Sequence, residues 1–177
     1  MNSSTPQNCQ FRLAEQSDLP SVMTIYDLTR AAILATGSDQ WSATYPSLEL
    51  VKNDLKHKQL YVATINHQIV GVTATSDIQL AYYRQIQWLT DDYSRHLIIY
   101  RLAIHPDYRR QQIGSFLLRQ LEQLAIARQY DSIRFNVYSR NPNAMLFYEK
   151  NGYQRMKGNF QLPRHSAISH CFEKILK

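Results

Sequence analysis

Arg109 and Arg110, with Gln111, Gln112 and Gly114 behind them, stand where a short apolar run stops and a helical pattern starts. That combination of charge and chain geometry suits phosphate. The stretch Tyr100–Phe116 reads YRLAIHPDYRRQQIGSF, turning through His105-Pro106-Asp107-Tyr108 before the arginines. A strand that feeds through a turn straight into a helix gathers several unpaired backbone N–H groups in one place. Those amides carry the positive end of the helix dipole and form an anion site. The two guanidinium groups add fixed charge beside it.

The stretch resembles the cofactor-binding signature of the GNAT superfamily of N-acetyltransferases. That signature is a strand, then Arg or Gln, two free positions, Gly, one free position, and Gly or Ala. Arg109 and Gly114 match its two ends, and Gln112 stands where the family usually has its first glycine. The resemblance implies acetyl-CoA as cofactor. Its pyrophosphate would meet the main chain of Gln111, Gln112, Ile113, Gly114 and Ser115, with Arg109 and Arg110 supplying charge. The main chain of Leu102, Ala103 and Ile104 would bond the pantetheine arm like an added strand.

A second segment, Asn141–Tyr153 (NPNAMLFYEKNGY), resembles the family's other recurrent stretch, in which Asn is followed seven residues later by Tyr and then by a Gly-aromatic pair. By that match Asn141 bonds the cofactor arm and Tyr148 stands near its sulfur. A phenol with a pKa near 10 is protonated at neutral pH and can donate to a developing thiolate. No cysteine lies in either segment, so the expected mechanism is direct attack of the amine in a ternary complex.

An alkylammonium lies about 3.4 pKa units from neutral pH, so freeing its proton costs roughly 4.6 kcal/mol without help. Many family members place an acid at one of two positions held here by Ile98 and Asn136, and neither residue can accept a proton. His96 and Tyr100 share the face of Ile98 in an extended strand. A histidine has the pKa range of a base, although one at a strand start is more often simply exposed. The base is left open. For the acceptor, the resemblance points to the loop carrying Trp41 and Tyr45, to the aromatic segment Tyr82–Tyr93, and to Tyr100. Asp91 and Asp92 could attract a cationic amine. Core packing or a homodimer contact is the other role open to these aromatics.

Length and composition set the frame. A chain of 177 residues, 44% hydrophobic and 19% charged, can bury one substantial core and reads as a single globular domain over 9–177 behind a mobile polar tail, 1–8. No apolar run is long enough for a membrane span and Met1–Asn8 lacks the pattern of a signal peptide, so the expected location is cytoplasmic. The two cysteines, Cys9 and Cys171, are expected as reduced thiols. The net charge of +6 is scattered, without a Lys/Arg run or a nucleic-acid-binding motif, which argues against nucleic acid as partner and for a ligand with several phosphates.

The elements that must position these residues follow from periodicity. Gln10–Leu13 alternates as a first strand. Ser17-Asp18-Leu19-Pro20 starts a helix that Gly37 stops. Ser47 caps a second helix through about Lys58. Gln59–Ile65 and Gln68–Ser76 form a hairpin across Asn66-His67, while Ile78–Arg95 has no clean period. His96–Ile104 is a strand, 112–129 a helix, Ser132–Val137 a strand, Asn141–Asn151 a short helix, and Tyr153–Leu162 and Ile168–Leu176 closing strands. The expected fold is α/β, a mixed central sheet of about seven strands flanked by about four helices. By resemblance it is the GNAT fold, splayed open at the cofactor site. The function it implies is acetyl transfer to a primary amine of a small molecule or peptide; a non-catalytic acyl-CoA-binding regulatory module of the same fold is the alternative.

Overall fold

In a computed structural model that describes residues 8–91 and 93–176, seven strands alternate with four helices in the order the periodicity predicts. The strands are β1 (Cys9–Leu13), β2 (Leu60–Ile65), β3 (Gln68–Ser76), β4 (His96–Ile104), β5 (Ser132–Tyr138), β6 (Gln154–Phe160) and β7 (Ser169–Ile175). The helices are α1 (Leu19–Ala35), α2 (Leu48–Lys56), α3 (Ile113–Ala127) and α4 (Pro142–Lys150). The strands hydrogen-bond in the order β1-β2-β3-β4-β5-β7-β6, an open mixed sheet. β4 and β5 run parallel through His96–Ser132, Leu97–Ile133 and Ile98–Arg134, whereas β5 and β7 pair antiparallel over the full length of β5. Residues 1–7 of the expected tail 1–8 lie outside the described residues.

Local chemistry explains most boundaries. Ser47 accepts the Leu50 N–H and starts α2, as its residue type predicts. Asn66 and His67 both take left-handed φ, +49° and +66°, the pattern a two-residue hairpin needs. The start of α1 differs from expectation. Asp18 does not cap it; its carboxylate holds the Arg12 guanidinium at 2.6 and 2.9 Å and the Glu15 N–H at 2.7 Å, inside a short 3₁₀ turn. An ion pair with a strand residue outcompetes a local cap here because it is charged on both sides.

The chain groups into two compact units, the described part of Met1–Thr75 with Tyr100–Gln120, and Ser76–Ile99 with the described part of Leu121–Lys177. In the first unit α1 and α2 cover one sheet face, burying Val22, Ile25, Tyr26, Val51, Val62 and Val72. The start of α3 covers the other, with Ile113, Phe116 and Leu117 against Ala63 and Val70. Gly71 permits that approach: a Cβ there would stand 3.0 Å from both Ile104 Cδ1 and Leu117 Cδ1. In the second unit Phe135, Tyr148, Tyr153 and Phe172 form an aromatic cluster. Buried polar residues Arg134, Glu173, Ser132 and His96 sit among its strands.

Candidate active site

The corner after β4 has the form the sequence predicts. Pro106–Tyr108 make a 3₁₀ turn whose cap is the His105 side chain, accepting the Asp107 N–H at 3.3 Å. Arg109 is extended, Arg110 is left-handed at φ +62° and Gln112 is left-handed at φ +61°. Left-handed residues interspersed along a turn swing successive N–H groups toward one side, the geometry of an anion nest. The first helical bond of α3 is Phe116 N–H to Gln112 O, so Ile113, Gly114 and Ser115 precede it and their amides have no intrahelical acceptor. Residues 109–112 are exposed, and among the described residues Arg109 and Arg110 form no ion pair. The corner is open to water with its cations unspent.

Gln112 holds a backbone conformation that glycine adopts freely, in the position where the resemblance expects glycine. Gln112→Gly is therefore expected to leave stability within about 1 kcal/mol of the parent, since relief of strain offsets lost chain stiffness. For the CoA that the sequence resemblance implies, the expected outcome is binding several-fold tighter in calorimetry as the phosphate gains the backbone; weaker binding would show that the Gln112 side chain, not its main chain, serves the ligand.

Upstream of the corner, β4 is irregular. Arg101 has φ +52°, which breaks the alternation of side chains. Leu102 and Ile104 lie with the α3 core while Ala103 and Tyr100 lie with the α1/α2 core. Arg101 also turns toward α2, where its guanidinium meets Asp54 at 2.5 Å, so consecutive residues Tyr100 and Arg101 serve one face. Both members of that pair are buried, at 9% and 8% side-chain exposure. Burial raises the Asp54 pKa above the usual carboxylate range, against the pull of Arg101. Burial also lifts the Tyr100 phenol to about 12.

The expected acceptor residues divide. Trp41 is buried between Tyr26 and Tyr45, with ring centroids 5.9 Å from each. Tyr45 is half-buried and receives the Arg101 Nη1–H at 3.4 Å. Tyr82, in the second unit, is exposed and stacks on Phe160 at 5.2 Å. Asp91 is turned into its own loop, accepting the N–H groups of Tyr93 and Ser94 and the Ser94 hydroxyl. Asp92 lies outside the described residues.

In the second unit Asn141 caps α4, its Oδ1 accepting the Ala144 N–H at 3.1 Å. Its side-chain oxygen is thus used by the helix, which the resemblance did not foresee. Tyr148 is half-buried against Phe135 at 4.2 Å and Phe147 at 5.0 Å, and desolvation raises its phenol well above the ordinary value. Among the described residues its hydroxyl has no hydrogen-bond partner. Of the positions where an acid was sought, Ile98 is buried core and Asn136 accepts the Tyr83 hydroxyl at 3.1 Å. His96 is buried rather than exposed, its Nδ1 3.0 Å from Ser132 Oγ, and burial lowers its pKa.

Sequence reasoning missed Arg101 and Asp54. The available signal was a charged residue inside the apolar run of β4; its partner on α2, 47 residues away, left no local trace.

The comparisons fit this geometry. The family description "Acetyltransferase (GNAT) domain" matches residues 56–155. A crystal structure of a GNAT family acetyltransferase from Streptococcus agalactiae is 25% identical, with 98% of each chain covered and a TM-score of 0.84. One of a GNAT family acetyltransferase from Listeria monocytogenes is 14% identical over 99% of this chain and 100% of that one, with a TM-score of 0.74. A ribosomal-protein-alanine N-acetyltransferase from Brucella melitensis is 19% identical over 94% of this chain and 99% of the other, TM-score 0.72. With the family match covering more than half of its length, and the corner at Arg109–Ser115 standing within the matched residues, the chain belongs to the GNAT acetyltransferase family.

Proposed function

We propose that this chain is an acetyl-CoA-dependent N-acetyltransferase that moves the acetyl group to a primary amine of a small molecule or peptide by direct attack in a ternary complex. The observation that carries the reading is the corner at Arg109–Ser115, where left-handed Arg110 and Gln112 and helix-start amides without an intrahelical acceptor adjoin two exposed guanidinium groups that form no ion pair among the described residues. A turn of this kind suits a diphosphate, because left-handed residues and helix-start amides present N–H groups to anionic oxygens. The relatives that act on the alanine of a ribosomal protein carry a related fold, which suits an amine acceptor.

The bound thioester supplies an activated acetyl group. Everything else falls to the chain. The main chain of Leu102–Ile104 orients the pantetheine arm. Tyr148, kept protonated by desolvation, donates a hydrogen bond to the departing sulfur. With its pKa raised, complete proton transfer from the phenol is uphill, so its role is to stabilise the thiolate until solvent protonates it. Asn141 serves the arm through groups other than the oxygen that caps α4. A reducing cytoplasm suits Cys9 and Cys171, both free thiols.

Calorimetry with CoA tests the reading at its base. Saturable binding is expected, weakened about ten- to a hundredfold in the Arg109→Ala/Arg110→Ala double variant. Absence of binding by the parent protein removes the proposal. Release of free thiol from acetyl-CoA on adding amines separates an enzyme from the non-catalytic alternative.

A further inference from the structure

β4 carries one permanent charge, Arg101, and the alternation of the strand decides where that charge goes. Tyr100 packs with the α1/α2 core. In a regular strand Arg101 would therefore face the other way, among the apolar side chains of Ile113, Phe116 and Leu117. Burying an unpaired guanidinium there costs far more than one left-handed residue does. The chain takes the second course. At φ +52° Arg101 is turned back to the α1/α2 side, where its Nη2–H meets Asp54 Oδ2 at 2.5 Å and both side chains are less than a tenth exposed.

The reversal carries into the next three residues. Leu102 and Ile104 pack toward α3 and Ala103 toward α1 and α2, the inverse of what unbroken alternation from Tyr100 would give. Main-chain groups alternate along a strand together with the side chains. The His105 N–H goes to Val70 O of β3 at 2.9 Å, so the N–H and C=O of Leu102 and Ile104 turn away from β3. A strand slipped by one residue would turn Ala103 that way instead. Desolvation offsets most of the attraction in an ion pair this enclosed. Its larger contribution is to choose between the two registers.

We infer that the Arg101–Asp54 ion pair positions the cofactor arm: by holding the β4 bulge it decides that Leu102 and Ile104, and not Ala103, present their main chain to pantetheine. The inference rests on the acetyltransferase reading above. Neither side chain need touch the cofactor. Arg109, Arg110 and the amides at the start of α3 follow the bulge in the chain and act on the phosphates, so loss of the pair should weaken the grip on the arm and spare the grip on the nucleotide. Glycine takes the left-handed backbone freely and can keep the bulge with no ion pair at all.

The test is calorimetry with CoA and with 3′-phosphoadenosine 5′-diphosphate, which keeps the phosphates and lacks the arm. Arg101→Met/Asp54→Leu and Arg101→Gly/Asp54→Leu both remove the two charges together and differ only in the backbone freedom at 101. The methionine variant should bind CoA about tenfold or more weakly, with the nucleotide within about twofold of the parent. The glycine variant should bind CoA within about threefold of the parent. Asp54→Asn is nearly isosteric and leaves Arg101 an acceptor, so the fold should persist; it should weaken CoA about threefold without moving the nucleotide, and it decides alone if the methionine variant does not fold. CoA and nucleotide weakened alike would mean that the pair serves the fold as a whole. CoA bound at parental strength without the pair, or a glycine variant as weak as the methionine one, would mean that the bulge does not set the arm. Each of these overturns the inference while the acetyltransferase reading stands; a parent protein that binds no CoA removes both.

Discussion

Replacing Tyr148 by phenylalanine is expected to lower kcat about a hundredfold or more while CoA affinity changes less than threefold. The ring is fixed by aromatic contacts with Phe135 at 4.2 Å, Phe147 at 5.0 Å, Tyr153 at 6.1 Å and Phe172 at 6.2 Å, and phenylalanine keeps every one of them. Removing the hydroxyl leaves no donor or acceptor of the protein stranded, because the hydroxyl has no partner among the described residues. The loss would therefore fall on the reaction and not on the fold. Desolvation raises the phenol pKa, so Tyr148 stays protonated through neutral pH and well into the alkaline range. The rate of the parent protein should accordingly climb with pH as the acceptor amine loses its proton, with no decline from Tyr148 ionisation below about pH 10. Full turnover in the phenylalanine variant would take Tyr148 out of the mechanism.

How much of this could be read before folding depends on how local each cause is. The form of the corner at Arg109–Ser115 was legible because it belongs to consecutive residues: a strand end, a turn and a helix start need no distant partner. The hairpin at Asn66-His67 and the cap at Ser47 were legible for the same reason. By residue type an aromatic in a loop looks available, whereas in the structure Tyr26 and Tyr45 enclose Trp41. The expected exposure of His96 failed for the same kind of reason. A strand's first residue is exposed unless another chain segment covers it, and here Ser132 of β5 lies alongside. The bulge at Arg101 left no mark in the run LIIYRLAI, since nothing in residue type announces a left-handed arginine inside a strand. Ile78–Arg95 showed no period because its order comes from partners far away in sequence: Trp88 donates to Tyr83 O, yet Leu89 and Thr90 are held from β7.

That last tether predicts the largest effect on stability. Glu173, fully buried on β7, accepts four hydrogen bonds: Leu89 N–H at 2.6 Å, the Thr90 hydroxyl at 2.5 Å, the Ser132 hydroxyl at 2.6 Å and Arg134 Nε–H at 2.8 Å. Burial alone would raise its pKa, but Ser132, Thr90, Arg134 and the Leu89 amide outweigh burial and hold it below the ordinary value. Ser132 and Thr90 each have one hydroxyl proton and both spend it on Glu173, so His96 Nδ1 must be the donor to Ser132 Oγ. One carboxylate thus fixes two hydroxyl rotors, a histidine tautomer and the segment before β4. Glu173→Gln turns an acceptor toward four donors into a group that is half donor and leaves Arg134 buried without its counter-charge. A loss of about 3–5 kcal/mol in unfolding free energy by denaturant titration is expected. Arg134→Met/Glu173→Leu, which removes both charges together, should recover most of it. Because the folded pKa is depressed, the carboxylate's contribution is complete above the unfolded value near 4.3 and fades as pH falls through the folded one. The stability gap between parent and Glu173→Gln should therefore narrow at acid pH. An unchanged denaturation midpoint in the single variant would mean that the segment before β4 is held by its apolar packing, and that Glu173 merely answers a charge Arg134 brought into the interior.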